Sequence, residues 1–183
     1  MIGFDTSQLP YLDFRDEEGF FATIEALKVF FQENRGELDE LFRLGGEYLA
    51  AFQAMDPFIQ SYTARICPYC GTVCCAQRHG MPEYADVVGI LAMGLELPAY
   101  RPSLDPRGEC QFMGPKGCVL PRPRRPYRCT WYFCDPILME IDLATAREYR
   151  FFIQGVRELS RARGALLRGF VEACGRLGRE PPP

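Results

Sequence analysis

Residues 110–134 read CQFMGPKGCVLPRPRRPYRCTWYFC. Four cysteines (Cys110, Cys118, Cys129 and Cys134) share this run with Pro115, Pro121, Pro123 and Pro126. The run sits in a longer stretch, 98–136, that holds eight prolines in 39 residues. Proline fixes φ and donates no backbone hydrogen bond, so no helix is expected at that density. A short strand at Val119 and Leu120 is the most the pattern supports. So long a stretch without regular structure is unusual inside a compact chain. Something must offset the entropy of ordering it, and the cysteines are the natural candidates.

Upstream, residues 67–75 read CPYCGTVCC and add Cys67, Cys70, Cys74 and Cys75. The two quartets are spaced C-x2-C-x3-C-C and C-x7-C-x10-C-x4-C. Disulfides, redox thiols and a metal compete to explain them. The N-terminus, MIGFDTSQLPYLDF, has no basic start and no sustained apolar run, so no secretory signal is read there. The longest apolar stretch, near 87–95, is too short to span a bilayer, and no lipid-attachment motif is present. A cytoplasmic chain with no membrane partner is expected. A reducing cytosol disfavours structural disulfides, and nine cysteines cannot all pair within one chain. CPYC resembles the dithiol motif of glutaredoxins, but that motif belongs between a strand and a helix of a βαβ unit, which this sequence lacks.

Metal is the strongest reading. Thiolates suit zinc and iron–sulfur clusters. A C-x-x-C pair converges two thiolates from a tight turn, and Gly71 lets the chain reverse after Cys70. The eight sulfurs suffice for two four-thiolate zinc sites. Neighbouring side chains diverge, so Cys74 and Cys75 either serve two metals or divide into one ligand and one packing residue. Arg101, Arg107, Lys116, Arg122, Arg124, Arg125 and Arg128 surround the second quartet, where they can offset thiolate charge and lower thiol pKa values. Tyr127, Trp131, Tyr132 and Phe133 interleave with those bases, as on a nucleic-acid stacking surface. A net charge of −3 lacks the strongly basic footprint such a partner calls for. His79, the single histidine, stands four residues after Cys75, where C-x3-H ligation is conceivable; with eight cysteines at hand, an ordinary hydrogen-bonding role is expected. Cys174 reads as a small buried hydrophobe.

The flanks are helical. Residues 16–34 place Phe20, Phe21, Ile24, Leu27, Phe30 and Phe31 at helical spacing behind Asp16, Glu17 and Glu18, with Asn34 and Gly36 as stop signals. A second helix is expected over 37–55, weakened by Gly45 and Gly46. A short third one is expected from Asp56 and Pro57. Residues 82–94 form another. A helical segment at about 143–176 starts with Asp142 as its cap, is bent or broken at Gly155, Gly164 and Gly169, and ends in a frayed tail, Pro181 to Pro183. The aromatic stripes read as core. Residues 1–62 carry 12 acids and 4 bases, and residues 63–134 carry 5 acids and 9 bases, so charge pairing between these parts is expected. The expected fold is mainly α: one domain, 1–183, with N-terminal helices (1–62), a cysteine-cluster core (63–136) and a C-terminal helical segment (137–183). Helices pack around an irregular cysteine-rich metal-binding core with little or no β.

Taken together, the motifs resemble the CxxCxxCC, or YkgJ-like, cysteine-cluster proteins, described as zinc- or iron-chelating domains. Cys67, Cys70, Gly71, Cys74 and Cys75 match the first part of the family pattern. Cys110 with Phe112, Gly117 with Cys118, Arg125-Pro126 ahead of Cys129, and Cys134 match the second. The resemblance covers about 67–134. It departs in having three residues, Gly71, Thr72 and Val73, where the family name implies two, which leaves open whether Cys74 or Cys75 is the ligand. The resemblance implies a zinc- or iron-chelating protein, and zinc at structural four-cysteine sites is the leading reading of the ligands themselves. Closed zinc sites leave no open position for catalysis and point to a scaffold or a protein-interaction module. The alternative is an iron–sulfur cluster serving electron transfer, or part of a lysine N-methylase-like enzyme, since related clusters occur in flagellin lysine N-methylases. No methyl-donor site, glycine-rich phosphate loop or serine–histidine–acid arrangement accompanies the cysteines.

Overall fold

The computed structural model describes residues 4–69 and 74–183. Cys70, Gly71, Thr72 and Val73, the centre of CPYCGTVCC, lie outside the described residues. The architecture is mainly α. Among the described residues seven α-helices surround one small two-stranded ribbon.

Helix α1 (Glu17–Glu33) forms where the apolar spacing predicts it. Asp16 caps it by accepting from the Gly19 N–H at 3.1 Å, and Phe20, Ile24, Leu27, Phe30 and Phe31 are buried on one face. Asn34 ends it, its side-chain amide donating to the Phe30 carbonyl at 2.7 Å.

Helix α2 (Asp39–Ile66) corrects the expected break at Asp56 and Pro57. It runs through Pro57 as one 28-residue element. Proline in a helix interior costs about 3 kcal/mol and one ladder hydrogen bond. Here the neighbouring turns are held by burial of Met55, Ile59 and Tyr62, and Asp56 is fixed by an ion pair to Arg122. Tertiary contact overrides the local stop signal. Gly45 also has a packing reason. A methyl group on it would overlap the Ala92 carbonyl of another helix, whereas Gly46 faces open space.

After the one-turn helix α3 (Gln77–Gly80) comes α4 (Tyr84–Ala92). Glu83 and Asp86 form a capping box at its start, and nearly every residue of it is buried. The proline-dense stretch then holds more regular structure than its composition allows for. Strands β1 (Met113–Gly114) and β2 (Gly117–Cys118) pair antiparallel, Met113 opposite Cys118. They precede the expected strand at Val119 and Leu120 because the reversal falls at Pro115-Lys116, with Gly117 at φ +99°. Val119 extends the pairing by one bond, its N–H donating to the Phe112 carbonyl at 2.9 Å. Two short helices also survive the prolines. Helix α5 (Arg128–Trp131) fits between Pro126 and Pro136, and α6 (Asp135–Asp142) takes Pro136 into its first turn, where no N–H is missed.

Helix α7 (Ala146–Arg176) is unbroken for 31 residues. Its cap is Thr145, not Asp142. Thr145 and Glu148 exchange capping-box hydrogen bonds, while Asp142 closes α6. Gly155 and Gly169 mark close approach to α2 and not bends. A methyl group on either would lie 2.7 Å from Met55 Cγ or 2.6 Å from Leu44 Cδ1. Helices α2 and α7 share the most extensive helix–helix contact, α4 packs on α1, α2 and α7, and α6 packs on α2. The core draws on every part of the chain, from Leu9 to Cys174. The C-terminal prolines are tied back, Tyr84 Oη donating to the Pro182 carbonyl at 2.7 Å, so the expected frayed tail is also corrected. Among the described residues one ion pair, Arg122–Asp56, joins the acidic N-terminal part to the basic middle.

Candidate cysteine-lined site

The turn after Cys75 organises the site. An isolated antiparallel bridge pairs Ala76 with Glu109. The Cys110 N–H donates to the Cys75 carbonyl at 2.9 Å, the Gln77 N–H to Gly108 at 2.8 Å and the Arg78 N–H to Pro106 at 3.0 Å. Gln77, almost wholly buried, donates from Nε2 to the Arg101 carbonyl at 2.9 Å and to Gln111 Oε1 at 3.1 Å, and accepts from the Gln111 N–H at 2.9 Å. Gln111 Oε1 also accepts from the Arg101 N–H at 2.7 Å, and its Nε2 donates to Ala99 at 2.7 Å. Two glutamines thus supply hydrogen bonds that the irregular stretch cannot make within itself. That part of the ordering does not depend on sulfur.

The opposite wall is held by Asp86. Its carboxylate accepts from the Glu83 N–H at 2.9 Å and the Tyr127 N–H at 3.0 Å, joining the start of α4 to the turn that leads into α5 and Cys129. Burial raises its pKa, with the Arg163 charge and the two backbone donors opposing.

Cys67, Cys74, Cys75, Cys110, Cys118, Cys129 and Cys134 all line one cavity of about 410 Å³. Cys74, Cys75, Cys110, Cys118, Cys129, Cys134 and Cys174 are free thiols. The fold regroups the sequence quartets. Cys74 is within hydrogen-bonding reach of both Cys134 and its neighbour Cys75, and Cys75 in turn lies within electrostatic reach of Cys74, Cys129 and Cys110. Cys118 acts in turn on Cys110 and Cys129. The Cys129 thiol points to the His79 carbonyl at 3.5 Å. A methyl group on Gly80 would overlap the Cys110 sulfur. Among the described residues, no group of three or more His, Cys, Asp or Glu side chains is already placed to hold a metal ion.

At four of the thiols burial outweighs the lowering of pKa expected from the surrounding bases. Burial pushes Cys74, Cys75 and Cys110 up, and Cys129 up to about 12. Arg125 opposes this at Cys129 only weakly. The arginines are engaged elsewhere. Arg122, 1% exposed, donates from Nε to Asp56 at 2.6 Å, Arg125 from Nε to the Leu120 carbonyl at 2.8 Å, Arg124 to Leu97 at 3.3 Å, and Arg128 to Glu83 at 2.7 Å. Lys116, Arg122, Arg125 and Arg128 line the cavity.

His79 lines the cavity, but its Nδ1 lies 3.2 Å from the Cys74 carbonyl and its Nε2 accepts from Arg78 Nε at 3.2 Å, the hydrogen-bonding role expected of it. The aromatic run divides. Trp131 and Tyr132 are about half exposed at the cavity. Tyr127 carries the Arg163 guanidinium over its ring at 4.5 Å, and Phe133 packs on Phe152. No continuous stacking surface results. Cys174 is buried in the core, as expected.

Spacing alone pointed to the sulfurs but missed Gln77, Gln111 and Asp86, which position them. The Glu83-x-x-Asp86 spacing was a legible helix-start signal; the glutamines carried none. No family model matches the chain, and comparison with the curated proteins and with the solved structures found no match. Among the described residues no helix is long and apolar enough to cross a membrane.

Proposed function

We propose that this chain is a cytoplasmic metal-binding protein whose cysteine-rich middle chelates zinc and is completed by it. One observation carries the reading: seven cysteines, drawn from residues 67–75 and 110–134, line a single cavity. The donors fit the group in kind. Thiolate sulfur selects zinc and iron–sulfur centres over harder, oxygen-seeking cations. Cys67, Cys74, Cys75, Cys110, Cys118, Cys129 and Cys134, with Cys70, are the ligands under this reading. The buried thiols hold their protons more tightly than usual, so loading releases protons and strengthens as pH rises. The chain's residues hold and orient the sulfurs, with Gln77, Gln111 and Asp86 fixing the walls. Zinc enclosed by four thiolates has no position left for a substrate, so the role is a scaffold or a module for a protein partner.

The test is elemental analysis and an absorption spectrum on anaerobically purified protein. About two zinc ions per chain without visible absorption supports the reading. A brown protein with iron and acid-labile sulfide replaces zinc by an iron–sulfur cluster and redirects the role to electron transfer or an enzyme's cluster. Protein that takes up neither metal, even after reduction and incubation with zinc, overturns metal binding altogether.

A further inference from the structure

We propose that the cavity binds an amphipathic organic acid, its carboxylate held by Arg122 and Arg125 and its apolar body lying against the cavity's apolar wall. The inference does not depend on the metal reading.

The cavity is unbalanced in charge. Lys116, Arg122, Arg125 and Arg128 line it, and among the described residues no Asp or Glu does. Arg122 pairs with Asp56 and Arg128 with Glu83, both carboxylates lying outside the lining. That leaves Lys116 and Arg125 without an ion pair among the described residues.

One donor is also left over. Arg122 is 1% exposed, and its Nε donates to Asp56 at 2.6 Å, but its Nη2 is buried with no hydrogen-bond partner. A buried guanidinium N–H forfeits its bonds to water and ordinarily recovers them from the protein. Here the chain supplies no acceptor, in a side chain that lines a cavity.

The backbone doubles the effect. Arg122–Arg124 form a single 3-10 turn between Pro121 and Arg125, closed by the Arg125 N–H donating to the Arg122 carbonyl at 3.0 Å. Side chains three residues apart eclipse in a 3-10 turn, so two guanidinium groups stand on one side of it, and both line the cavity. Like charges so placed repel. A carboxylate relieves this, and its two oxygens match the planar arginine fork.

The rest of the lining selects the body of the ligand. Ile59 of α2, Ile137 of α6, Leu120, Phe133 and Trp131 line the same space. Its volume of about 410 Å³ falls among small-molecule sites. An inorganic anion leaves the apolar wall unpartnered, and a neutral apolar compound leaves the guanidinium groups unmatched. An organic acid meets both.

Trp131 is the single tryptophan and lines the cavity half exposed, so its fluorescence reports binding. The protein as purified is titrated with decanoate below its micelle-forming concentration, then with decanol and with inorganic phosphate. A saturable change with decanoate is expected, with decanol at least about tenfold weaker and phosphate without effect. Arg125→Gln is expected to weaken decanoate about tenfold with helical circular dichroism unchanged. Asp56→Asn removes the carboxylate that competes for Arg122 and is expected to tighten decanoate binding, a gain that a merely structural Arg122 does not give. No saturable response to decanoate, equal affinity for decanol, an equal response to phosphate, unaltered binding in Arg125→Gln or no gain in Asp56→Asn overturns the proposal. Metal content, measured separately, decides the metal reading and leaves these outcomes untouched.

Discussion

Adjacent glycines can hold opposite roles. Gly45 is where α2 touches the end of α4, with no room for a methyl group beside the Ala92 carbonyl, whereas Gly46 faces open space. Gly45→Ala is expected to destabilise by about 1–3 kcal/mol through overpacking. Gly46→Ala is expected to stabilise by about 0.5–1 kcal/mol, because alanine loses less freedom in a helix. Urea unfolding of the two variants checks the contrast; equal effects would refute the crossing. From sequence both glycines carried the same helix penalty, since propensity is blind to what crosses the helix. The cysteines were legible for the opposite reason: their chemistry is written in residue type. Their grouping was not, because Cys75 meets Cys110 through a chain reversal that spacing does not encode.

At the scale of elements, α1 and α4 were legible because periodicity, caps and stop signals agree. α2 and α7 were legible in content but not in continuity. Pro57, Gly155 and Gly169 are local breakers, yet α2 and α7 pack along each other and override them. The irregular stretch owes its order to more than its sulfurs, because Gln77 staples α3 to residues 101 and 111. A glutamine in a polar run reads as surface, and only its burial shows otherwise. Gln77→Ala removes a donor and an acceptor together and leaves buried backbone groups unpaired. It is expected to cost about 2–4 kcal/mol, read as a lower urea midpoint of chelator-treated protein. An unchanged midpoint would return the stretch to the sulfurs alone.

For the whole molecule, burial of many thiols sets an alkaline limit. In the unfolded chain a thiol ionises near its ordinary value, about 8.5. In the fold, burial holds Cys129 up to about 12 and raises Cys74, Cys75 and Cys110 as well. Between those values the unfolded chain has released protons that the folded chain retains, so stability falls as pH rises. The slope is up to about 1.4 kcal/mol per pH unit for Cys129, the most buried of the four, and less for the others, whose charge solvent partly screens. Chelator-treated, reduced protein is expected to hold its urea midpoint from about pH 7 to 8 and lose it steeply above about pH 9. A flat profile to pH 11 would show that the thiols are not buried. Cys174 stands apart from this group, enclosed by α7 and the core, with its pKa raised to about 11 by burial. It therefore serves as an internal sentinel. An alkylating reagent reaches it only when α7 leaves its neighbours, so its labelling clocks global opening of the scaffold, on a separate channel from the chemistry of the sulfurs in the cavity.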